Sequence, residues 1–138
     1  RMTRKAKRGK ILQIMIVLYR SMLHPEEKLN VSKYSSFSIR NVLSGYATDI
    51  SIKWPNDIYW KDKKICGILI ENDLSNDAIT QSVIGVGVNL NQLFSETSFN
   101  PVSLKEITKT DYNHKEILNQ IVEELFSLYN PKNPIIRI

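Results

Sequence analysis

Residues 53–71 read KWPNDIYWKDKKICGILIE and pack four lysines, three acids and an apolar run into nineteen positions. Pro55 restricts Trp54 to extended geometry, which favours a strand over a helix at this point. The pattern predicts two paired strands, ISIKW (50–54) and KICGILIEN (64–72), both rich in β-branched residues. A hairpin needs a turn and alternation but not this density of charge, so the charged residues need a separate explanation.

The residues between these strands are predicted to complete the hairpin. IYW (58–60) is expected to extend the first strand past the proline, and Lys61-Asp62-Lys63 is expected to form a polar tip. The hairpin would bring two ammonium groups, those of Lys53 and Lys64, close to the carboxylate of Asp57. Two lysines beside a pocket suit phosphate oxygens or a carboxylate. Lysines near a hairpin tip are also commonly only solvated, and spacing alone does not decide between these interpretations.

The strand SVIGVGVNLN (82–91) is predicted to have two unlike faces, because side chains alternate along a strand. The apolar face, expected to pack on helices, carries Ile84, Val86, Val88 and Leu90, and the other face carries Gly85, Gly87, Asn89 and Asn91. Glycine in a strand costs stability unless something approaches closely. We therefore interpret the glycine face as the floor of a small-molecule pocket. The alternative is a solvent-facing strand with incidental glycines, or a bulge.

Alternation creates a difficulty in the strand that follows the hairpin tip. Counting from Lys64 places Cys66 and Ile68 on the lysine's face, and Gly67 and Leu69 on the opposite face. If Lys64 and Gly67 contact the same ligand, the strand requires a bulge, or the lysine must curl around. Gly67 is the residue predicted to host that bulge.

The remaining elements predict one α/β (α+β) domain. ILQIMIVLY (11–19) is apolar and β-branched almost throughout, as for a strand buried on both faces. Residues 25–47 are predicted as a helix, Asn72-Asp73 as a turn, 103–108 as a short helical turn, and a last helix begins near Asn113. The order β-α-β-β-β-α predicts a mixed β-sheet with helices packed mainly on one face.

Composition restricts the class of protein. The chain has 138 residues, of which 42% are hydrophobic and 24% charged, as expected for a soluble globular protein with one core. A single cysteine, Cys66, excludes an internal disulfide and a cysteine-based zinc site. The apolar run 11–19 is too short to span a membrane. These features predict a cytoplasmic protein without membrane contact.

The net charge of +5 belongs to one end of the chain. Residues 1–10, RMTRKAKRGK, hold six basic residues and no acid, which leaves 13 basic and 14 acidic residues elsewhere. Such a tail can bind nucleic acid non-specifically, or it can simply be solvated. No specific nucleic-acid partner is predicted.

Three segments together resemble the catalytic domain of biotin protein ligases: KWPND (53–57), KKICGILIE (63–71) and IGVGVNLN (84–91). The resemblance implies a fold like that of class II aminoacyl-tRNA synthetases and lipoate ligases. It divides the chain into a basic tail or loop remnant at 1–10, a partial catalytic domain at 11–130 and a C-terminal stub at 131–138.

The resemblance implies a reaction in two steps. The carboxylate of biotin attacks the α-phosphate of ATP with Mg²⁺ assistance, giving biotinyl-5′-AMP and pyrophosphate. A lysine of a biotin carboxyl carrier protein, a subunit of acetyl-CoA carboxylase, then takes the biotinyl group and AMP leaves. ATP, biotin and Mg²⁺ are thus the implied cofactors, the carrier protein is the implied partner, and a homodimer is compatible with the family.

The resemblance also assigns three groups of site residues and no protein ligand to a metal. The catalytic group is Lys53, Asp57 and Lys64; the biotin-binding group is Lys64, Gly67, Leu69, Gly85 and Gly87; the ATP or adenylate group is Lys53, Asn56, Val88 and Asn89. Lys64 is expected to contact the biotin carboxyl group and the α-phosphate, and Lys53 to support the phosphate side. Asp57 is expected to orient or deprotonate the acceptor lysine, and Asn89 to meet the adenine.

The chain departs from the family ahead of residue 11. The family has a glycine- and arginine-rich loop, G-R-G-x-x-G-R, that closes over the ligand, whereas this region reads RMTRKAKRGK. The chain is therefore expected to be truncated or degenerate at its N-terminus, with its own activity left open. Three alternatives remain: a catalytically incomplete biotin- or nucleotide-binding fragment, a lipoate or octanoyl ligase of the same superfamily, and a basic-tailed nucleic-acid binder. The KWPND and GVGVNLN segments argue against the lipoate or octanoyl ligase.

Overall fold

The computed structural model describes residues 10–19, 28–75, 78–94 and 100–129. Its elements, in chain order, are β1 (Ile11–Tyr19), α1 (Lys28–Ser44), β2 (Ile50–Lys53), β3 (Asp57–Trp60), β4 (Lys63–Ser75), β5 (Ala78–Asn89), α2 (Leu104–Thr108) and α3 (His114–Tyr129). The predicted basic tail, except Lys10, lies outside the described residues. So do the start of the predicted first helix and the C-terminal stub.

The five strands form one sheet in the order β1-β5-β4-β3-β2. The ladders between these strands are antiparallel, and a parallel bridge joins Lys64 to Pro101. Within the described residues, this bridge is the parallel part of the predicted mixed sheet. The predicted fold class, a sheet with helices packed mainly on one face, is confirmed.

The predicted two-strand hairpin is in fact a three-strand meander. IYW does not extend β2; the chain reverses after Lys53, and β3 returns antiparallel with Asp57 opposite Lys53. Proline has no N–H to donate to a ladder, so a strand ends readily at Pro55. The second reversal lies at Lys61-Asp62, within the predicted tip. The charged stretch therefore forms two consecutive turns and not one.

The hairpin formed by β4 and β5 is longer than predicted. Asn72 and Asp73 were expected to form a turn because both are typical turn residues, but β4 continues through them. They lie opposite Ser82 and Gln81, and each bonds its partner through side chains. The cross-strand bonds therefore keep these polar residues in the ladder.

One face of the sheet carries the hydrophobic core. The largest fully buried side chains, from strands, helices and the loop before α2, are Ile16, Ile39, Leu43, Ile58, Ile65, Ile84, Leu90, Leu104, Ile117, Ile121 and Val88. Helices α1 and α3 pack on this face and on each other, and Asn41 Nδ2 donates to Glu124 Oε2 between them at 2.9 Å. The apolar face predicted for β5 is thus confirmed as core.

Strand β1 is buried on one face, which corrects the prediction of a strand buried on both. Leu12, Ile14 and Ile16 belong to the core, whereas Gln13 is exposed and Met15 has 41% of its surface exposed. The alternation was hard to see because methionine is apolar yet lies on the open face. Gln13 is the polar residue that interrupts the run.

Side chains cap the starts of α2 and α3. Ser103 forms a capping box with Glu106, since Ser103 Oγ accepts from Glu106 N at 3.1 Å and Glu106 Oε1 accepts from Ser103 N at 2.9 Å. Asn113 Oδ1 accepts from Glu116 N at 3.1 Å, as its Asn-x-x-Glu spacing predicted. No helix among the described residues combines the length and apolarity that crossing a membrane requires.

Candidate functional site

The face of the sheet opposite the core holds a cavity of about 440 Å³. It is lined by Gln13, Ile14, Met15, Asp57, Lys64, Gly67, Ile68, Leu69, Gly85, Val86 and Gly87. This volume is in the range of small-molecule sites. A cavity therefore lies where the glycine face of β5 predicted one.

The strand register explains why these residues meet. Directly opposed residues of antiparallel strands share a face, and one row crosses all five strands through Gln13, Gly87, Gly67, Asp57 and Lys53. We call this the cross-strand row. Its two central positions are glycines, so its middle has no side chain. A polar carboxamide lies at one end, and a carboxylate and an ammonium group lie at the other.

The space above the two glycines of β5 is open, and the side chain of Lys64 lies over Gly67 in β4. A Cβ built on Gly87 would have no atom of the described residues within 4 Å, and one built on Gly85 would lie 3.8 Å from the Leu69 carbonyl oxygen. A Cβ on Gly67 would lie 3.3 Å from both Cε and Nζ of Lys64. The glycines of β5 therefore leave room for a ligand, and Gly67 leaves room for the lysine.

Lys64 reaches this face because β4 carries a bulge. Ile58 pairs with Cys66, and the next residue of β3, Tyr59, pairs with Lys64. Strand β4 thus advances by two residues where β3 advances by one, and Ile65 is the extra residue. Ile65 and Cys66 are both buried on the core side, at 0% and 1% exposure. One extra residue reverses the alternation, so Lys64 shares a face with Gly67. A bulge was one of the two predicted ways for Lys64 to reach the ligand beside Gly67, and the structure has the bulge at Ile65 and not at Gly67.

Lys64 and Asp57 form an ion pair over the cavity. Lys64 Nζ lies 3.2 Å from Asp57 Oδ1, and the two side chains are 38% and 40% exposed. Ion pairs this exposed contribute at most about 1 kcal/mol. Both groups can therefore exchange partners at little cost when a charged ligand arrives.

Two hydrogen bonds join the backbone of Lys64 to residues 100–102, which precede α2. Lys64 N donates to the Asn100 carbonyl at 2.7 Å, and Val102 N donates to the Lys64 carbonyl at 2.9 Å. Asn89 Nδ2 also approaches that carbonyl, at 3.5 Å. The segment carries no motif, so sequence reasoning missed it. It fixes the lysine's Cα while the side chain remains free to turn.

Helix α1 anchors the corner between β2 and β3. Ser32 Oγ donates to Asn56 Oδ1 at 2.6 Å, and Ser36 Oγ donates to the Pro55 carbonyl at 3.0 Å. The two serines are four residues apart and so lie on one side of the helix. Ile68 N also donates to the Asn56 carbonyl at 3.0 Å. The corner that carries Asp57 is therefore tied to a helix and to β4.

The residues assigned to ATP do not line the cavity. Lys53 is exposed at the end of the cross-strand row, with Nζ 4.8 Å from the centre of the Tyr59 ring. The Asn56 side chain is bonded to Ser32. The Val88 side chain has 0% exposure and belongs to the core, because it alternates with Gly87. Val88 can therefore offer a ligand its backbone but not its side chain.

Two further features of the cavity concern residues outside the assigned groups. Gln13 and Met15 line it but were not predicted, because β1 was taken as buried on both faces. Behind the sheet, burial raises the pKa of the Cys66 thiol well above its usual range, and a neutral buried thiol is unreactive. Cys66 is thus not a nucleophile for this site.

Comparison with known proteins identifies the family of the chain. The model of the Biotin/lipoate A/B protein ligase family matches residues 3–89. The chain belongs to this family. The bifunctional ligase/repressor BirA of Bacillus spizizenii is 42% identical over 64 residues, which are 46% of the chain and 18% of that relative. BirA of Escherichia coli is 34% identical over 67 residues, or 48% of the chain and 21% of that relative.

Solved structures of the Biotin/lipoate A/B protein ligase family share the fold. The biotin protein ligase of Aquifex aeolicus superposes with a TM-score of 0.73 at 29% identity, covering 93% of the chain and 56% of that structure. The same ligase in complex with biotin and ATP gives a TM-score of 0.73 at 29% identity and covers 91% and 52%. The chain thus spans about half the length of these structures. Their likeness confirms the predicted biotin ligase-like architecture.

Proposed function

We propose that this chain carries the acyl-activating site of a biotin protein ligase, which makes biotinyl-5′-AMP from biotin and ATP and passes biotin to a lysine of a biotin carboxyl carrier protein. The observation that carries the proposal is the position of Lys64. Its ammonium group folds over Gly67 beside a glycine-floored cavity, in a chain of the Biotin/lipoate A/B protein ligase family.

Lys64 and Lys53 would serve the activation step. A carboxylate oxygen of biotin attacks the α-phosphorus, and the bond from that phosphorus to the bridging oxygen breaks, so pyrophosphate leaves with the electron pair. Charge develops on the α-phosphate oxygens, where an ammonium group placed in advance stabilises it. Lys64 is near enough to the cavity to bind both the carboxylate and the α-phosphate. Lys53, beyond Asp57 in the cross-strand row, would support the phosphate side.

Asp57 would serve the transfer step. A lysine with a pKa near 10.4 is neutral in only about one molecule in a thousand at pH 7, so the acceptor needs a nearby carboxylate to orient it or take its proton. Asp57 is paired with Lys64 in this structure. When Lys64 turns to the phosphate, Asp57 becomes free to receive the acceptor ammonium group. The amine then attacks the biotinyl carbonyl carbon, and AMP leaves.

Nucleotide and metal binding would rest mainly on polar groups beside the cavity. Asn56, Asn89 and the backbone of Val88 are the proposed adenylate contacts. Within the described residues, no group of three or more His, Cys, Asp or Glu side chains could hold a metal ion. Mg²⁺ would be held by nucleotide phosphates and water, the usual situation for Mg²⁺, and would neutralise phosphate charge when bound. A cytoplasmic location and a homodimer remain predictions.

Calorimetric titration of the chain with biotin, with and without ATP and Mg²⁺, tests the proposal. We expect one biotin site and tighter binding when the nucleotide is present, because the two ligands would share Lys64. Binding of biotin without any release of pyrophosphate would support the binding-fragment alternative. Absence of heat in both titrations would contradict the proposal.

Replacing Lys64 tests its assigned role. We expect Lys64→Ala to abolish pyrophosphate release in a version of the chain that carries the family's glycine- and arginine-rich loop ahead of residue 11. Lys61→Ala is the matched control, since Lys61 is exposed at the turn and stacks on the Trp60 ring at 4.9 Å. Full activity of the Lys64 variant would rule out the assigned role.

A further inference from the structure

Gln13 presents a carboxamide to the cavity at the end of the cross-strand row that is remote from Asp57. It is exposed, it lines the cavity, and it lies opposite Gly87. In the part of the chain that the structure describes, no hydrogen bond holds its carboxamide. The group is therefore free to bind a ligand.

The spacing of the strands relates Gln13 to Lys64. Strand β5 separates Gln13 from Gly67, so the two Cα atoms are about 10 Å apart, two strand spacings. Lys64 Nζ lies over Gly67, and the space above Gly87, between them, is open. A ligand whose carboxylate binds Lys64 and whose body crosses Gly87 therefore brings its far end to Gln13.

Apart from Gln13, the side chains that line this end of the cavity are apolar. The adjacent row consists of Met15, Gly85 and Leu69, and Met15 and Leu69 are 41% and 63% exposed. These apolar groups would contact a ring or an alkyl chain equally well. Selection by hydrogen bonding at this end of the cavity thus falls to Gln13.

We infer that Gln13 selects acyl substrates whose end remote from the carboxylate carries a hydrogen-bonding group, such as a cyclic urea, over acids with an apolar end. The inference rests on the proposed function. A carboxamide supplies two donor hydrogens and an acceptor oxygen, which match the carbonyl and N–H groups of a urea. An apolar chain that covers Gln13 removes its water without replacing the hydrogen bonds, which disfavours that ligand.

The test is calorimetric titration of the chain and its Gln13→Leu variant with biotin and with octanoate. We expect the substitution to weaken biotin binding about ten-fold, the size of one or two lost hydrogen bonds, and to leave octanoate binding unchanged or tighter. Gln81→Leu is the matched control: Gln81 lies on the same face of β5, opposite Asp73 and outside the cavity lining. It should leave both affinities unchanged.

The possible outcomes separate the inference from the proposed function. An unchanged ratio of biotin to octanoate affinity in Gln13→Leu, including an equal loss for both ligands, overturns the inference and leaves the proposed function standing. Absence of biotin binding by the unaltered chain overturns both. The thermal unfolding midpoint of the variant, expected to match that of the unaltered chain, shows that any loss is not due to misfolding.

Discussion

Gly87 lies near the centre of the cross-strand row. A Cβ placed on it would have no atom of the described residues within 4 Å. Glycine within a strand is less favourable than alanine by about 0.5–1 kcal/mol, because it loses more conformational freedom on folding. The fold therefore gains nothing from a glycine at this position. Close approach of a ligand to the backbone is the physical reason that remains.

Gly87→Ala should separate binding from stability. We expect the free energy of unfolding to stay the same or rise by up to about 1 kcal/mol, since the added methyl group meets open space. Biotin affinity should fall at least ten-fold, because that methyl group occupies volume the ligand needs. Urea denaturation and calorimetric titration measure the two effects. A variant that binds biotin as tightly as the unaltered chain would show that the ligand lies elsewhere.

The orientation of individual side chains was predictable where alternation is unbroken. Val88 and Gly87 occupy opposite faces, as the alternation of β5 requires. The face of Lys64 was not predictable from its own strand, because the bulge at Ile65 depends on how β4 pairs with β3. The serine bonds to Asn56 and Pro55 were likewise not predictable, since they join residues 19 and 24 positions apart.

Helix α1 and the corner after β2 act as one unit at the scale of secondary structure. Ser36 is fully buried, and its hydroxyl donates to the Pro55 carbonyl. Pro55 itself is exposed, so losing this hydrogen bond costs its ordinary net contribution of about 0.5–1.5 kcal/mol. The helix thus holds the corner from which Asp57 starts β3.

We expect Ser36→Ala to lower the free energy of unfolding by about 0.5–1.5 kcal/mol for this reason. Ser44→Ala is the matched control, because Ser44 is an exposed residue at the end of the same helix and should change stability by less than about 0.5 kcal/mol. Urea denaturation of both variants gives the comparison. Equal stability of the two variants would show that the bond to Pro55 does not hold the corner.

The existence of most elements followed from the sequence, and their connections did not. The Asn-x-x-Glu spacing at Asn113 predicted the start of α3, where Asn113 Oδ1 does accept from Glu116 N. The turn at Pro55 was missed because IYW is typical of a strand whether it continues β2 or pairs with it. That choice depends on contacts across the sheet and not on local propensity.

In the molecule as a whole, one face of the sheet packs in the hydrophobic core and the other face holds the cavity. Helices α1 and α3 cover one face and bury the core, and the other face holds the cavity. Ile121 belongs to the first face, with 2% of its surface exposed. Its side chain stabilises the fold and lies on the far side of the sheet from the ligand.

Ile121→Ala should therefore have the opposite effect to Gly87→Ala. We expect the free energy of unfolding to fall by about 2–5 kcal/mol, the range for truncation of a buried Ile or Leu to Ala. The dissociation constant for biotin should stay within about two-fold of the unaltered chain at a temperature where the variant is folded, because the cavity keeps its lining. Calorimetric titration below the unfolding transition checks this. A parallel loss of affinity would contradict the separation of the two faces.

Whether the glycine-floored face of the sheet binds biotin can be tested by recording ¹H–¹⁵N spectra during titration with biotin. We expect the largest shifts on the backbone amides of Gly67, Gly85 and Gly87, with a clear change at Gln13. The amides of α3 around Ile121 should stay in place. Largest shifts on α3, or none at the three glycines while biotin binds, would show that biotin binds elsewhere.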